Sequence, residues 1–290
     1  MIKYNPKTWF DLIFHSYSRK VMRVLAPSIL FMIIYTTLVC YIVVDYLELG
    51  YRSTTAFHSL LGIVLGLVLV FRKNSAYDRW WEGRKQWGAL VNSTRNLAFK
   101  LNAFLPESEK EVKKYFYIMI SNFVFSFKEH LRGKFKKEEL EEAEEGFFTE
   151  IMKYKHKPNY IISQIYKRLN ELYKKEVITG DQFLIIDKEV KLFADIMGAC
   201  ERIKNTPIPY SYSMFIKKFI FTYTITLPFG FVTEFQYFTI PIVVLLFFIL
   251  VSIELISEEI EEPFGNDVND LPTDELSEKI KGNLAEVLLM

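Results

Sequence analysis

With 290 residues, half of them apolar and 16% aromatic, the chain is long enough for one large domain or two and apolar enough to meet lipid as well as fill a helical core. Its 36 Lys and Arg nearly cancel its 35 Asp and Glu, and no basic cluster with interleaved aromatics points to nucleic acid. Its two cysteines, Cys40 and Cys200, lie far apart and make neither a disulfide framework nor a zinc site.

Residues 1–23 mix Trp9, Phe10, Leu12, Ile13 and Phe14 with Lys3, Lys7, Arg19, Lys20 and Arg23. They read as an amphipathic helix at a membrane interface, not a signal peptide, because charges run throughout and no apolar central region is present. Residues 24–44 carry no charge and read as a transmembrane span. Pro27 falls in the first turn of that span, where a missing N–H costs little. A short loop over 45–51 follows, with Asp45, Glu48 and Gly50.

Residues 53–71 return across the membrane without a single Asp, Glu, Lys or Arg. At about 1.5 Å per residue this run is about 28 Å long, close to the hydrocarbon thickness of a bilayer. Helix-forming composition then continues through Arg72, Lys73, Asp78, Arg79, Glu82, Arg84 and Lys85. That part cannot stay in lipid, since each Lys or Arg there costs roughly 2.5–3.5 kcal/mol. The two parts predict one helix that leaves the membrane and continues into water.

Ile63, Leu67 and Phe71 are spaced by four and share one gently drifting face of this helix. Gly62 and Gly66 form a G-x-x-x-G pair on the adjoining face, which admits another helix. Two readings stay open. The faces are ordinary packing surfaces, or copies of the helix surround an axis. In the second case the glycines pack neighbours together and the Ile/Leu/Phe stripe makes apolar rings that gate by dewetting.

The long middle, residues 72–218, is soluble in character and shows no alternating β pattern. Trp80, Trp81 and Trp87 suit packing against other helices. Tyr115, Phe116, Ile118, Met119, Phe123 and Phe127 repeat at helical spacing within 112–131. The charge run at 136–145 reads as a solvated helix end. Pro158-Asn159 opens a helix over 160–176, and Asp181 is the expected N-cap of another that ends near Lys204. Asn205-Thr206-Pro207-Ile208-Pro209 must break that helix and hold Ile208 extended between two prolines. The break is either a simple hinge or a device that aims Ile208 at an oligomer axis.

Residues 219–233, kinked at Pro228 and Gly230, and residues 235–253 are the last apolar runs and form a hairpin separated by Glu234. The total is four spans. The Lys/Arg bias places both termini and the middle region in the cytoplasm, since the loop at 45–52 has only Arg52 and that at 233–236 has none. In the acidic tail Asp267 and Asp270 flank Val268-Asn269 after Pro263-Phe264-Gly265. They are the only Ca²⁺ candidates, although the loop does not match an EF-hand and solvated acidic turns are commoner.

No phosphate-binding loop, dinucleotide fingerprint, zinc-protease motif or nucleophile elbow occurs, so neither an enzyme nor a cofactor is expected. The four histidines, His15, His58, His130 and His156, are read as unclustered. His58 is the one ionisable group at membrane depth, near the outer and wetter end of its span.

The segments YDRWWEGRKQWG, NTPIPYSY and EEIEEPFGNDVNDLP together resemble the bestrophin family on its bacterial side, over nearly the whole chain. Arg79-Trp80-Trp81 and Pro263-Phe264-Gly265 carry most of the likeness. The resemblance implies an all-α membrane protein, with four transmembrane helices per subunit plus a helical cytosolic region. It further implies a homopentameric channel with a single axial pore. Counting back from Arg79, its neck falls on Ile63, Leu67 and Phe71, and its cytosolic aperture on Ile208. The partition becomes 1–71 with the first two spans, 72–218 as cytosolic vestibule, 219–253 with the last two spans, and 254–290 as acidic tail.

The implied partners are copies of itself, membrane lipid and permeating monovalent ions, in a bacterial inner membrane. The family includes chloride-conducting eukaryotic members and bacterial relatives that favour monovalent cations, and the acids of the vestibule tilt the expectation slightly to cations. Eukaryotic members hold Ca²⁺ in an unbroken acidic cluster; here Val268 interrupts Asn266-Asp267-Val268-Asn269-Asp270, so Ca²⁺ activation is not expected. A secondary transporter and a non-conducting membrane scaffold are the rivals from other classes.

Overall fold

The computed structural model describes residues 16–51 and 54–290. Most of the expected N-terminal amphipathic helix, with His15, and the loop residues Arg52 and Ser53 lie outside the described residues. The described residues contain helices and turns and no β-strand. They divide into two compact units, one made of the described residues up to 79 with 207–261 and the other of residues 80–206 with 262–290.

The first unit starts with α1 (Ser16–Cys40), which ends in a π-helical turn over Tyr41–Tyr46. Because the helix is already formed at Ser16, Pro27 is an interior residue and not a first-turn one. The carbonyl one turn back, on Arg23, therefore has no amide to accept from, a defect tolerated in spans whose neighbours relieve it. The helix α2 (Thr55–Phe104) runs for 50 residues, unbroken past Arg72 as its composition predicted. It gives its residues up to Arg79 to this unit.

The hairpin consists of α7 (Tyr210–Phe235) and α8 (Thr239–Glu261). Its first helix starts nine residues before the expected 219, because Pro209 (φ −51°) already sets the chain for helix entry. The turn comes after Glu234, at Gln236 (φ +46°) in a single 3-10 turn over Gln236–Phe238. Pro228 is carried inside the helix.

Helix α8 packs on both α1 and α7, around a core of Met32, Leu65, Leu69, Ile216, Ile220, Tyr223, Leu227 and Val243. The Tyr35 hydroxyl donates to the Ile225 carbonyl at 2.9 Å. Among the described residues, three stretches are long and apolar enough to cross a membrane: Val21–Tyr46, Thr55–Phe104 and Tyr210–Glu261, the last holding both hairpin helices. His58 is not wet, as its position suggested. It is buried, and its Nδ1 lies 3.1 Å from the Thr54 carbonyl and 3.2 Å from the Thr54 hydroxyl.

The second unit is built around α3 (Lys110–Leu131), with the rest of α2, α4 (Phe147–Ile151), α5 (Lys157–Lys174), α6 (Gly180–Asn205) and α9 (Thr273–Leu288). Helix α3 touches α5, α6 and α9. A helix surrounded in this way has to be apolar nearly all round. Tyr115, Phe116, Ile118, Met119, Phe123 and Phe127 are all buried, and Phe123 stacks on Phe193 with ring centres 5.0 Å apart. Cys200 is fully buried in the same core. Burial pushes its thiol up to about 12, and Cys40 and Cys200 are both free.

Two local expectations change. The run at 136–145 is largely exposed, as expected, but it is not a helix end. It forms a 3-10 turn over Lys137–Glu139 and then an irregular segment, and several of its charges are tied down. Glu139 pairs with Lys128 at 2.6 Å and Glu141 with Lys281 at 2.7 Å. The N-cap of α6 is Thr179, not Asp181. Its hydroxyl accepts from the Gln182 amide at 3.2 Å, while the Gln182 side chain accepts from the Thr179 amide at 2.9 Å, a reciprocal capping box. Thr179→Ala is expected to destabilise the fold by about 1 kcal/mol, seen as an earlier thermal transition. An unmoved transition would show the cap to be dispensable.

Candidate pore-lining helix and its anchor

In the first unit, α2 has one face in the core and another left over. Leu65 and Leu69 are buried, whereas Ile63, Leu67 and Phe71 are 71, 56 and 57% exposed. The stripe singled out in the sequence is thus not used in packing the subunit. Of the two glycines, Gly62 is used: a Cβ there would sit 2.7 Å from the Tyr223 hydroxyl, so its absence lets α7 come close. A Cβ on Gly66 would meet nothing within 4 Å. The two glycines do not act as one contact within the subunit.

Directly after the stripe, Arg72 turns inward and is 1% exposed. Its Nη2 donates to Glu261 Oε2 at 2.7 Å and its Nε to Glu254 Oε1 at 3.4 Å. The other oxygen of Glu261 accepts from the Ile208 amide at 2.8 Å. Two turns further along α2, Arg79 Nε donates to the Glu261 carbonyl at 3.1 Å. Glu261 therefore ties the foot of the stripe to the residue between the two prolines. Ile208 is half-buried, and its backbone is held by a charge-assisted bond to that carboxylate.

Sequence reasoning missed Arg72, Glu254 and Glu261. Two signals were available: an arginine immediately after a charge-free span, and acids at the end of the last apolar run. Their pairing is 182 and 189 residues apart in sequence and comes only from the fold.

The other motif residues belong to the second unit, where they build one turn. Trp80 Nε1 donates to the Asn269 carbonyl at 2.9 Å, and Trp80 stacks on Trp81 with centres 6.4 Å apart. Phe264 is buried, and a Cβ on Gly83 would stand 3.1 Å from its ring and 3.2 Å from Pro263. Gly83 is thus the notch that receives Pro263-Phe264. Within the turn, Asp270 Oδ2 accepts from the Asp267 amide at 2.5 Å, and the Leu271 amide donates to the Pro263 carbonyl at 2.9 Å. Asp270 is buried and Asp267 exposed. The two Ca²⁺ candidates are not equivalent, since an oxygen of Asp270 is committed to the turn's own backbone.

Two of the histidines, His130 and His156, do cluster, contrary to their sequence spacing. The His130 and His156 rings lie 4.3 Å apart beside Glu201. Among the described residues a second group of three, Glu129, Glu139 and Asp274, is already filled by side-chain cations. Lys128 reaches Glu139 and Asp274 at 2.6 and 2.8 Å, and Arg132 reaches Glu129 and Asp274 at 2.9 and 2.6 Å. Hydrogen bonds from Arg132 and Lys128 hold the Asp274 carboxyl well below the usual carboxylate range.

Residues 1–286 match the family model described as bacterial/fungal bestrophin protein. A voltage-dependent anion channel-forming protein of Nostoc sp. is 37% identical over 229 residues, 78% of this chain and 75% of the relative. The voltage-dependent anion channel-forming protein YneE of Escherichia coli K12 is 27% identical over 292 residues, 99% of this chain and 94% of its own length. The crystal structure of a bacterial bestrophin homologue from Klebsiella pneumoniae superposes with a TM-score of 0.84 at 26% identity, covering 90% of this chain and 97% of that one.

Proposed function

Because this chain belongs to the bacterial/fungal bestrophin family of ion channels, we propose that it assembles as a homopentamer and conducts monovalent ions passively through one axial pore. It is a channel and not an enzyme. The observation that carries the reading is the apolar stripe. Ile63, Leu67 and Phe71 stand out of the subunit on a helix whose other face is buried. Five copies of that stripe around an axis make the neck, a constriction that gates by dewetting. Gly66, open in the subunit, is left for a neighbouring copy. Ile208, fixed by Glu261, makes the cytosolic aperture.

Four spans per subunit supply the membrane part: α1, the N-terminal part of α2, α7 from residue 219 onward and α8 to residue 253. Residues 72–218 and both termini lie on the cytoplasmic side of a bacterial inner membrane, the orientation that the Lys/Arg bias supports. Lipid and permeating ions are its other partners. Asp267 and Asp270 are not assigned a Ca²⁺ ion.

Rings of Ile, Leu and Phe carry no charge sign, so selectivity is set elsewhere. The reading adopted is a slight preference for cations, supported by the acids of 72–218 and by the cation preference that the resemblance implies for bacterial members. Anion conduction is the second reading. The names of the relatives favour it. So does the pairing of several of those acids, Glu129, Glu139, Glu141 and Glu189, with lysine or arginine.

The reversal potential of purified protein in a planar bilayer under a several-fold KCl gradient tests this. A value displaced towards the K⁺ equilibrium potential is expected. A value near that of Cl⁻ replaces the first reading by the second. Absence of current in the protein with a widened neck, described below, removes both and leaves a scaffold.

A further inference from the structure

We propose that His130, His156 and Glu201 form a binding site for a divalent transition-metal ion of the zinc class. Three helices deliver the ligands: His130 from the last turn of α3, His156 from the N-cap of α5, and Glu201 from α6. Both imidazole Nε2 atoms converge on the same carboxylate oxygen, at 2.7 Å for His130 and 2.6 Å for His156. The three ligand atoms lie within 4.8 Å of one another. Two imidazoles with one carboxylate suit zinc and its neighbours better than Ca²⁺ or Mg²⁺, which prefer sets made of oxygen alone.

The geometry needs little adjustment. Zinc sits about 2.0–2.1 Å from nitrogen and oxygen ligands, so a tetrahedral set has its ligand atoms roughly 3.3 Å apart. The two Nε2–Oε1 distances must therefore open by about 0.6–0.7 Å, which side-chain rotation of groups about a third exposed can supply. The same exposure leaves a path for the ion and room for water as a further ligand. The site contrasts with the Glu129, Glu139 and Asp274 group, where Lys128 and Arg132 occupy the space between carboxylates.

Two features of the surroundings act against the metal and set its limits. Lys204 Nζ lies 3.3 Å from the His130 carbonyl, a positive charge close to the site. His156 Nδ1 accepts from the Asn159 amide at 3.3 Å as the cap of α5. In the metal-free state each neutral imidazole carries its proton on Nε2 and donates it to Glu201. Metal on the two Nε2 atoms requires each imidazole, His130 as well as His156, to lose its proton from that atom and take one up from water on Nδ1, with no net change. The 3.3 Å capping bond is then given up. Metal binding at this site thus exchanges one long hydrogen bond at the start of α5 for a coordinate bond that joins three helices.

Full-length protein without a histidine tag, stripped with chelator, provides the test. Zn²⁺ is titrated by calorimetry and Co²⁺ by its visible absorption. One ion per subunit is expected, with the intense absorption of low-coordinate Co²⁺. The variants are His130→Gln, His156→Asn and Glu201→Gln. Asparagine keeps a capping side chain on α5, and each variant is checked for the metal-free thermal transition of the wild type. Each should weaken Zn²⁺ binding by more than about a hundredfold, beyond the roughly 10–100-fold lost on altering an outer-sphere partner alone. Zn²⁺ should raise the thermal transition of the wild type and leave that of the variants in place. Wild-type protein that takes up no Zn²⁺, or normally folded variants that bind it as the wild type does, overturns the proposal.

Discussion

Replacing Ile63, Leu67 and Phe71 together with alanine is expected to raise unitary conductance several-fold and to leave the subunit fold nearly intact. The two halves of this expectation share one cause. The three side chains are 71, 56 and 57% exposed in the subunit, so truncation opens no cavity within it and the fold should change by only about 0.5 kcal/mol per site. In the proposed pentamer the same truncation would widen three successive apolar rings and let water fill the neck, which would remove a dewetting barrier. Conductance is read in a planar bilayer and assembly by the mass of the detergent-solubilised oligomer. If an existing conductance is unchanged in pentameric protein, the stripe faces something other than the pore. If neither wild type nor variant conducts, the chain is a scaffold.

How far this was legible in the sequence varies by residue. The long α2 could be read because a charge-free run passes into a charged one without Pro, so a single helix is the only economical solution. The stripe could be found because period four is a local property of one helix. Which glycine is used could not. Gly62 meets Tyr223, 161 positions later, whereas Gly66 meets nothing, and the motif is the same for both. Cap chemistry was misjudged at α6, where Thr179 and Asp181 are both competent N-cap residues and only the reciprocal bond with Gln182 decides between them. The cluster of His130, His156 and Glu201 was out of reach, since its bonds span 71 and 45 positions and no fixed spacing announces them. Properties of one helix can be read in a sequence; pairings between helices depend on the fold, except where a shared family motif stands in for it.

The Arg72 anchor is such a pairing, and it yields the largest stability effect. Arg72→Met keeps much of the side chain's length and apolar stem but leaves Glu254, which is buried, and Glu261, whose side chain is 15% exposed, without their shared cation. Breaking a buried pair by removing one partner costs about 3–5 kcal/mol. Most of this should return when both acids are also replaced, in Arg72→Met with Glu254→Gln and Glu261→Gln, because no unpaired charge then remains. Arg72→Lys should fall between the two, since one ammonium cannot span two carboxylates as a guanidinium does. Thermal transitions in detergent rank the four proteins. A single Arg72→Met variant that melts with the wild type would mean that the pair does not hold the unit together. Glu261→Ala isolates the other half of the link. It removes the carboxylate that accepts from the Ile208 amide, while Glu254 still faces Arg72. If Ile208 forms the aperture, this change loosens it and alters conductance with the neck untouched; a channel with wild-type conductance would place the narrowing elsewhere.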